Sequence, residues 1–309
     1  MKPDLLVIVG PTGVGKTALS LQLAEDFCGE IISGDSMQVY RGMDIGTAKA
    51  SEEEQAKIPH HLIDLLDPNE SFSVQQYQHL AREKIRKIQS HHHLPMLVGG
   101  TGLYIESVVH EYKMPHVTEN PSIRQELTEL AMVHGNKYLH QKLQQVDEKT
   151  ASKLHPNDLR RIIRALEVFQ LTGKPLSEQQ QRSESPFRVL WIGLNMPRPK
   201  LYEQINQRVD QMIEKGLEEE VRELLATEQF EQHTASQAIG YKEMIQYIKG
   251  NISFDDAVLA IKQGTRRYAK RQLSWFRRIP EIHWFDKTEA HAMIEINHLV
   301  AGKFPSYRE

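Results

Sequence analysis

The stretch Leu5-Leu-Val-Ile-Val9, followed by Gly10-Pro-Thr-Gly-Val-Gly-Lys16-Thr17, decides the fold of this chain. A short apolar run that ends in the complete GxxxxGK[ST] pattern reads as a buried strand, a glycine-rich loop and the first turn of a helix. The helix continues in the apolar spacing of Ala18, Leu19, Leu21, Leu23 and Ala24. Glycines let successive backbone N–H groups turn inward on phosphate oxygens. Lys16 adds a point charge, and the helix opening at Thr17 offers its positive end and a hydroxyl suited to Mg2+. A polyphosphate grip built from Gly10, Pro11, Thr12, Gly13, Val14, Gly15, Lys16 and Thr17 follows, with Thr17 as the metal ligand. Nothing in such a cradle reads a base or a ribose, so any diphosphate ester of suitable shape fits it as well as a nucleoside triphosphate does.

Outward from this motif, the first hundred residues alternate strand and helix, with apolar runs at 5–9, 30–33 and 95–98. That alternation is the signature of a parallel α/β sheet, whose ligands sit at the carboxyl ends of the strands. Two more glycine-containing segments fall at those ends, 34–40 after the second run and 99–104 after the third, so three loops are expected around one pocket. Between about 113 and 197 the texture changes to amphipathic helices, at 121–132, 137–145 and 157–172. A fourth strand is expected at 187–193, helices at 200–226, 235–250 and 253–278, and a last strand at 282–285. The expected architecture is α/β, a P-loop NTPase-like parallel sheet core (1–112 and 198–309) with an inserted all-helical domain (113–197).

Bulk properties narrow the function classes. A chain of 309 residues has room for one large domain with a smaller second one, and its net charge of −3 leaves polyanion binding to local clusters of Lys and Arg. A single cysteine, Cys28, excludes an internal disulfide and a multi-thiolate zinc site, and its place within an apolar helical run reads as a small core residue. No apolar stretch approaches the roughly 20 residues of a membrane span, and the N-terminus runs straight into the phosphate loop, so a cytosolic protein with no membrane partner is expected. The runs His60-His61 and His91-His92-His93 place adjacent side chains that do not converge on one metal.

Asp35, between Gly34 and Ser36 at a strand end, is placed either as a general base or Mg2+ ligand, or as a turn aspartate. The run 96–98 ends in Gly99-Gly100 rather than in the aspartate with which phosphate-loop NTPases hold their metal, which counts against an ordinary ATPase or GTPase. Thr101 in that turn offers a hydroxyl to a leaving phosphate, or simply closes a tight turn. Near the C-terminus, 262–278 carries seven basic residues and no acidic one, with Tyr268, Trp275 and Phe276 interleaved. At helical spacing Arg267, Lys270, Arg271, Ser274 and Arg278 share one side, which suits contacts along a nucleic-acid backbone. Arg160, Arg161 and Arg164 give a second basic edge, or a set of solvated arginines.

Taken together these loops resemble one family, the tRNA dimethylallyltransferases or tRNA isopentenyltransferases. The resemblance rests on GPTGVGKT at 10–17, ISGDSMQVYRGMDIGTAK at 32–49, PHHLIDLLDP at 59–68, VGGTGLYI at 98–105, HPNDLRRIIRALEVF at 155–169, QAIGYKE at 237–243 and TRRYAKRQLSWFR at 265–277. It implies transfer of a dimethylallyl group from dimethylallyl diphosphate to N6 of the adenosine 3′ of a tRNA anticodon, with Mg2+ as cofactor. By that similarity Asp35 accepts the N6 proton, Ser36, Met37 and Gln38 help to place the base, and Thr101 helps to stabilise the leaving diphosphate. Asp35 and Thr101 are thus the catalytic pair and touch tRNA as well. Arg160, Arg161, Ile162, Ile163 and Arg164 are implied to hold the anticodon stem-loop, joined by Arg267 and Arg271 and, less directly, by 237–243. With no cysteine after Cys28, the chain lacks the zinc-finger extension of larger eukaryotic members and resembles the shorter bacterial form, acting as a monomer.

Three rival readings share parts of the pattern. A small-molecule kinase explains the phosphate loop and Asp35 but not the basic helix. A nucleotide-driven RNA-binding switch conflicts with the missing metal aspartate, and an adenylate isopentenyltransferase leaves the basic segments without a macromolecular acceptor.

Overall fold

The computed structural model describes residues 2–110, 119–179, 184–227 and 229–308. Six strands form one all-parallel sheet: β1 (Asp4–Val9), β2 (Gly29–Ser33), β3 (His60–His61), β4 (Leu94–Gly99), β5 (Arg188–Asn195) and β6 (Ile282–Asp286), in the order β3-β2-β4-β1-β5-β6. β1 lies between β4 and β5, with Val9 in register with Gly99 and with Gly193. The loop that leaves β1 therefore emerges in the middle of the sheet's carboxyl edge, where the chain turns first to one side and later to the other.

Both sheet faces are covered, which is why β1 is apolar at consecutive positions instead of alternating. Leu6 and Ile8 pack under α1 (Lys16–Asp26), while Leu5, Val7 and Val9 pack on the other face under α3 (Val74–Ser90) and α4 (Gly102–Val109); α2 (Glu52–Lys57) lies between α1 and α3 in sequence. Cys28 does not lie in the first helix: α1 ends at Asp26, and Cys28 sits half-buried in the turn that follows, at φ +45°.

Residues 110–184 form a separate compact unit of α5 (Pro121–His134), α6 (Asn136–Val146), α7 (Glu148–Ala151), α8 (Leu159–Thr172) and α9 (Leu176–Gln179). Its apolar centre joins Leu127, Leu139, Leu143, Ile162 and Leu166, and beside it the buried Glu167 carboxylate takes two hydrogen bonds from Arg124 and one from Arg164, at 2.6–3.1 Å. The other unit comprises residues 1–109 and 185–309. The expected helical segment 113–197 therefore runs too far: it takes in β5, which pairs with β1 along six residues and belongs to the sheet. Its start at 113 lies outside the described residues.

The chain then continues through α10 (Arg198–Glu214), α11 (Leu217–Ala226), α12 (Tyr241–Ile248), α13 (Phe254–Phe276) and α14 (Ala292–Lys303). Two expected helices are shorter than their periodicity suggests. Gly216 at φ +94° splits 200–226 into α10 and α11, and Gly240 at φ +99° delays α12 to Tyr241, leaving 234–237 as a single 3-10 turn. In both places glycine supplies a left-handed backbone that other residues adopt only with strain. A third apolar cluster clamps Val39, Tyr40 and Met43 against α10, α11 and α12, which fixes the segment after β2.

Candidate active site

One cavity of about 400 Å³ opens at the carboxyl edge of the sheet, wholly within the sheet-bearing unit. Its floor is the glycine loop. Thr12, Gly13, Gly15, Lys16 and Thr17 line it, whereas Pro11 and Val14 are turned into the protein, Val14 fully buried under the sheet. Pro11 has no N–H and contributes only a carbonyl, so the expectation that every residue from 10 to 17 grips phosphate is corrected there. Lys16 Nζ donates to the Gly10 and Pro11 carbonyls at 3.0 and 2.9 Å, which holds its ammonium beside the cradle. Burial, and secondarily the nearby Arg208 guanidinium, pull Lys16 down to about 7, against the opposing pull of Asp35.

Asp35, Ser36, Met37 and Gln38 line the same cavity. Asp35 Oδ1 accepts the Met37 N–H at 2.8 Å, a bond that fixes the carboxylate through one oxygen and leaves Oδ2 for a ligand. Gln38 is braced at both ends: Oε1 accepts from Ser33 Oγ at 2.7 Å and Nε2 points to the Thr47 carbonyl at 3.3 Å. The Asp44–Gly46 turn is tied to α11 by Glu220, whose carboxylate accepts three successive backbone N–H groups and the Tyr241 hydroxyl. Several partly buried polar contacts thus hold this loop in place.

Thr101 is not among the lining residues. Its hydroxyl accepts the Ser36 N–H at 3.2 Å and its own N–H donates to the Gly34 carbonyl at 3.1 Å, so it joins the β4 loop to the Asp35 loop. Of the basic helix α13, Thr265, Tyr268, Arg271 and Gln272 face the cavity, while Arg267, Lys270 and Ser274 are exposed, as are Arg271 and, in the turn just past the helix, Arg278. The helical spacing read from the sequence is therefore realised for Arg267, Lys270, Arg271 and Ser274, while Arg278 falls in the turn after the helix. In the helical unit, Arg160 and Arg161 are exposed on α8, but Ile162 and Ile163 are buried in that unit's core and Arg164 is paired with Glu167. Contact of the two isoleucine side chains with RNA is corrected by this burial.

Beyond the site, the model of the IPP transferase family matches residues 38–279 of this sequence. The chain belongs to that family. An IPP transferase of 52% identity over 289 residues is the tRNA dimethylallyltransferase of Carboxydothermus hydrogenoformans, with 93% of each chain covered. Among solved structures, the full-length tRNA isopentenylpyrophosphate transferase of Bacillus halodurans is 46% identical at a TM-score of 0.75, with 99% of this chain and 98% of that one covered. A eukaryotic dimethylallyltransferase described as acting on tRNA is 30% identical at a TM-score of 0.81, covering 99% and 80%.

Two residues of this IPP transferase's site escaped the sequence reading. Arg208, on α10, lines the cavity and makes no hydrogen bond or ion pair with another described residue. It sits at a polar position of an amphipathic helix, where a solvated arginine reads the same. Gln272, only 5% exposed, lies inside the basic run, and its one sequence signal is the spacing 265, 268, 272, a polar stripe on the cavity side of α13. Among the described residues no group of three or more His, Cys, Asp or Glu could hold a metal, and no helix is long and apolar enough to cross a membrane.

Proposed function

We propose that this IPP transferase moves the dimethylallyl group of dimethylallyl diphosphate onto N6 of the adenosine 3′ of the anticodon in tRNA. The observation that carries the reading is the meeting, in one cavity, of a phosphate loop, an Arg208 with no hydrogen-bond or ion-pair partner among the described residues and the Asp35 carboxylate, with glycine where an NTPase has its metal aspartate. Such a site is built to accept the departure of a diphosphate and the loss of a proton, not the attack of water on a γ-phosphate.

In the reaction the N6 lone pair forms a bond to the allylic carbon, the bond from that carbon to the diphosphate oxygen breaks, and the N6 proton passes to Asp35 Oδ2. The loop amides, Lys16 and Arg208 take the negative charge that gathers on the leaving oxygens. Thr101 acts from behind, by holding Ser36 and so the Asp35 turn. The donors facing the cavity fit Mg2+: Thr17 would hold it through its hydroxyl, a hard oxygen ligand. Bound Mg2+ would neutralise charge on the diphosphate.

An adenine can enter only if it leaves the anticodon-loop stack, which single-stranded loop RNA permits at modest cost. The exposed Arg160 and Arg161 of the helical unit, Arg267, Lys270 and Arg271 of α13 and Arg278 just beyond it supply phosphate contacts for that RNA. The setting is the cytoplasm and the acting form a monomer. Labelled dimethylallyl diphosphate, unmodified tRNA bearing adenosine 3′ of the anticodon, and Mg2+ without nucleotide make the test. Label in the RNA supports the reading; no label, with ATP consumed when small hydroxyl acceptors are offered, makes the protein a kinase.

A further inference from the structure

Gln272 makes two long-range hydrogen bonds, both to loops of the active site. Its Oε1 accepts the Thr12 N–H at 2.9 Å, and its Nε2 donates to the Gly100 carbonyl at 3.0 Å. The two partners fix which end of the amide is which, since a backbone N–H must face oxygen and a carbonyl must face nitrogen. The contact is close enough that a Cβ on Gly100 would fall 2.0 Å from Nε2, so the third glycine loop is shaped around this side chain. One helical turn away, Tyr268 lines the same cavity, and the same helix presents Arg267 and Lys270 outward. Gln272 makes no hydrogen bond to the Asp35 carboxylate or the Lys16 ammonium among the described residues, and both ends of its amide are taken up by the two loops.

We propose that Gln272 is a positioning residue of the transfer reaction, a clamp by which α13 locks the phosphate loop at Thr12 to the Gly99–Thr101 loop and so sets the distance between the diphosphate cradle and the Asp35 turn. The proposal rests on the dimethylallyltransferase reading of the site. Its chain of contacts is continuous: Thr12 to Gln272, Gln272 to Gly100, and Thr101, next in sequence, to Ser36. Without the clamp the leaving group and the attacking nitrogen lose their common frame, and displacements of about 1 Å are enough to cost on the order of 10²-fold in rate.

The test uses two variants. Gln272→Leu keeps the bulk and removes both bonds; its kcat is expected to fall by about 10- to 100-fold while KM for tRNA stays within about threefold, because the exposed cationic face is untouched. Gln272→Glu keeps the acceptor for Thr12 but sets a second oxygen against the Gly100 carbonyl. On protonation that oxygen becomes an O–H donor and the clamp is restored. The ratio of Gln272→Glu to wild-type kcat is therefore expected to rise at least about fivefold from pH 8 to pH 6. Asp35, Lys16, Arg208, His60, Lys242, Tyr268 and Arg271, the charged or titratable groups lining the cavity, are present in both proteins, so their own titration enters both rates. A flat ratio, a Gln272→Leu kcat within twofold of wild type, or a loss confined to KM for tRNA each overturns the clamp. Should Gln272→Leu fail to fold, the pH ratio of the glutamate variant decides alone. Absence of transfer by the wild-type protein is a separate result, which removes the functional reading itself.

Discussion

Lys16 is asked to be a cation in a place that disfavours one. Burial and the neighbouring Arg208 hold it down to about 7, so in the unbound protein it is charged below that pH and increasingly neutral above it. An arriving diphosphate restores the charge and must then recruit a proton. Affinity for inorganic pyrophosphate is accordingly expected to be level below pH 7 and to weaken above it, by up to about tenfold per unit, until the ordinary lysine range is reached. The sign for folding is opposite: the unfolded chain binds the extra proton between about 7 and 10.5, so this residue adds stability to the unbound protein as pH rises through that window. Calorimetric titration at several pH values, with Lys16→Arg as a reference whose guanidinium does not titrate, checks the binding trend; equal slopes in the two proteins would assign it to pyrophosphate alone. Asp35→Asn tests the other partner. The amide oxygen still accepts the Met37 N–H, so the turn and tRNA affinity are kept, while kcat is expected to drop about 10²- to 10⁴-fold for want of a base. Unchanged single-turnover rates would remove Asp35 from that role.

At the scale of elements, α8 separates two jobs that its sequence runs together. Arg160, Arg161 and Arg164 look alike in the text, yet Arg164 pairs at 2.6 Å with a glutamate that has no exposed side-chain surface, whereas Arg161 has only a loose surface pair with Asp158 at 3.4 Å. Arg164→Ala is expected to destabilise the helical unit by about 1–3 kcal/mol, since Arg124 remains to hold Glu167, and Arg160→Ala or Arg161→Ala to stay within about 0.5 kcal/mol. Urea unfolding of the three variants distinguishes them, and equal midpoints would return Arg164 to the surface. The same element shows what a sequence discloses. The apolar stripe of Ile162, Ile163 and Leu166 gave the helix, but the family's motif swept the isoleucines into an RNA-contact segment although that stripe points into the core. Strands β1, β2, β4, β5 and β6 were legible as apolar runs between turn residues. β3 was not, because two residues carry no periodicity, and its pairing of Ile31 with His60 is a tertiary event. The breaks at Gly216 and Gly240 were written as glycines, but an isolated glycine within a periodic run is equally compatible with an unbroken helix.

For the molecule as a whole, the phosphate cradle and the Asp35–Gln38 loop were readable because their chemistry is local in sequence, whereas Arg208 and Gln272 were not because they reach the site from distant helices. Arg208 and Gln272 acquire their roles only when α10 and α13 fold over the loops that follow β1, β2 and β4. Charge behaves in the same way. With a net charge of −3 the protein's overall field does not favour RNA, so affinity must come from clusters, and the exposed ones lie in two separate units, on α8 and on α13. If one tRNA engages both, each set releases its own counterions and the contributions to the salt dependence add. Removing Arg160 and Arg161 together should lower the slope of log affinity against log salt by up to about 2, removing Arg267, Lys270 and Arg278 by up to about 3, and removing all five by the sum. Filter binding of unmodified tRNA across a range of KCl concentrations measures these slopes without reference to catalysis. A combined variant no flatter than one of its parents would confine the RNA to a single unit, and the two clusters would then need separate explanations.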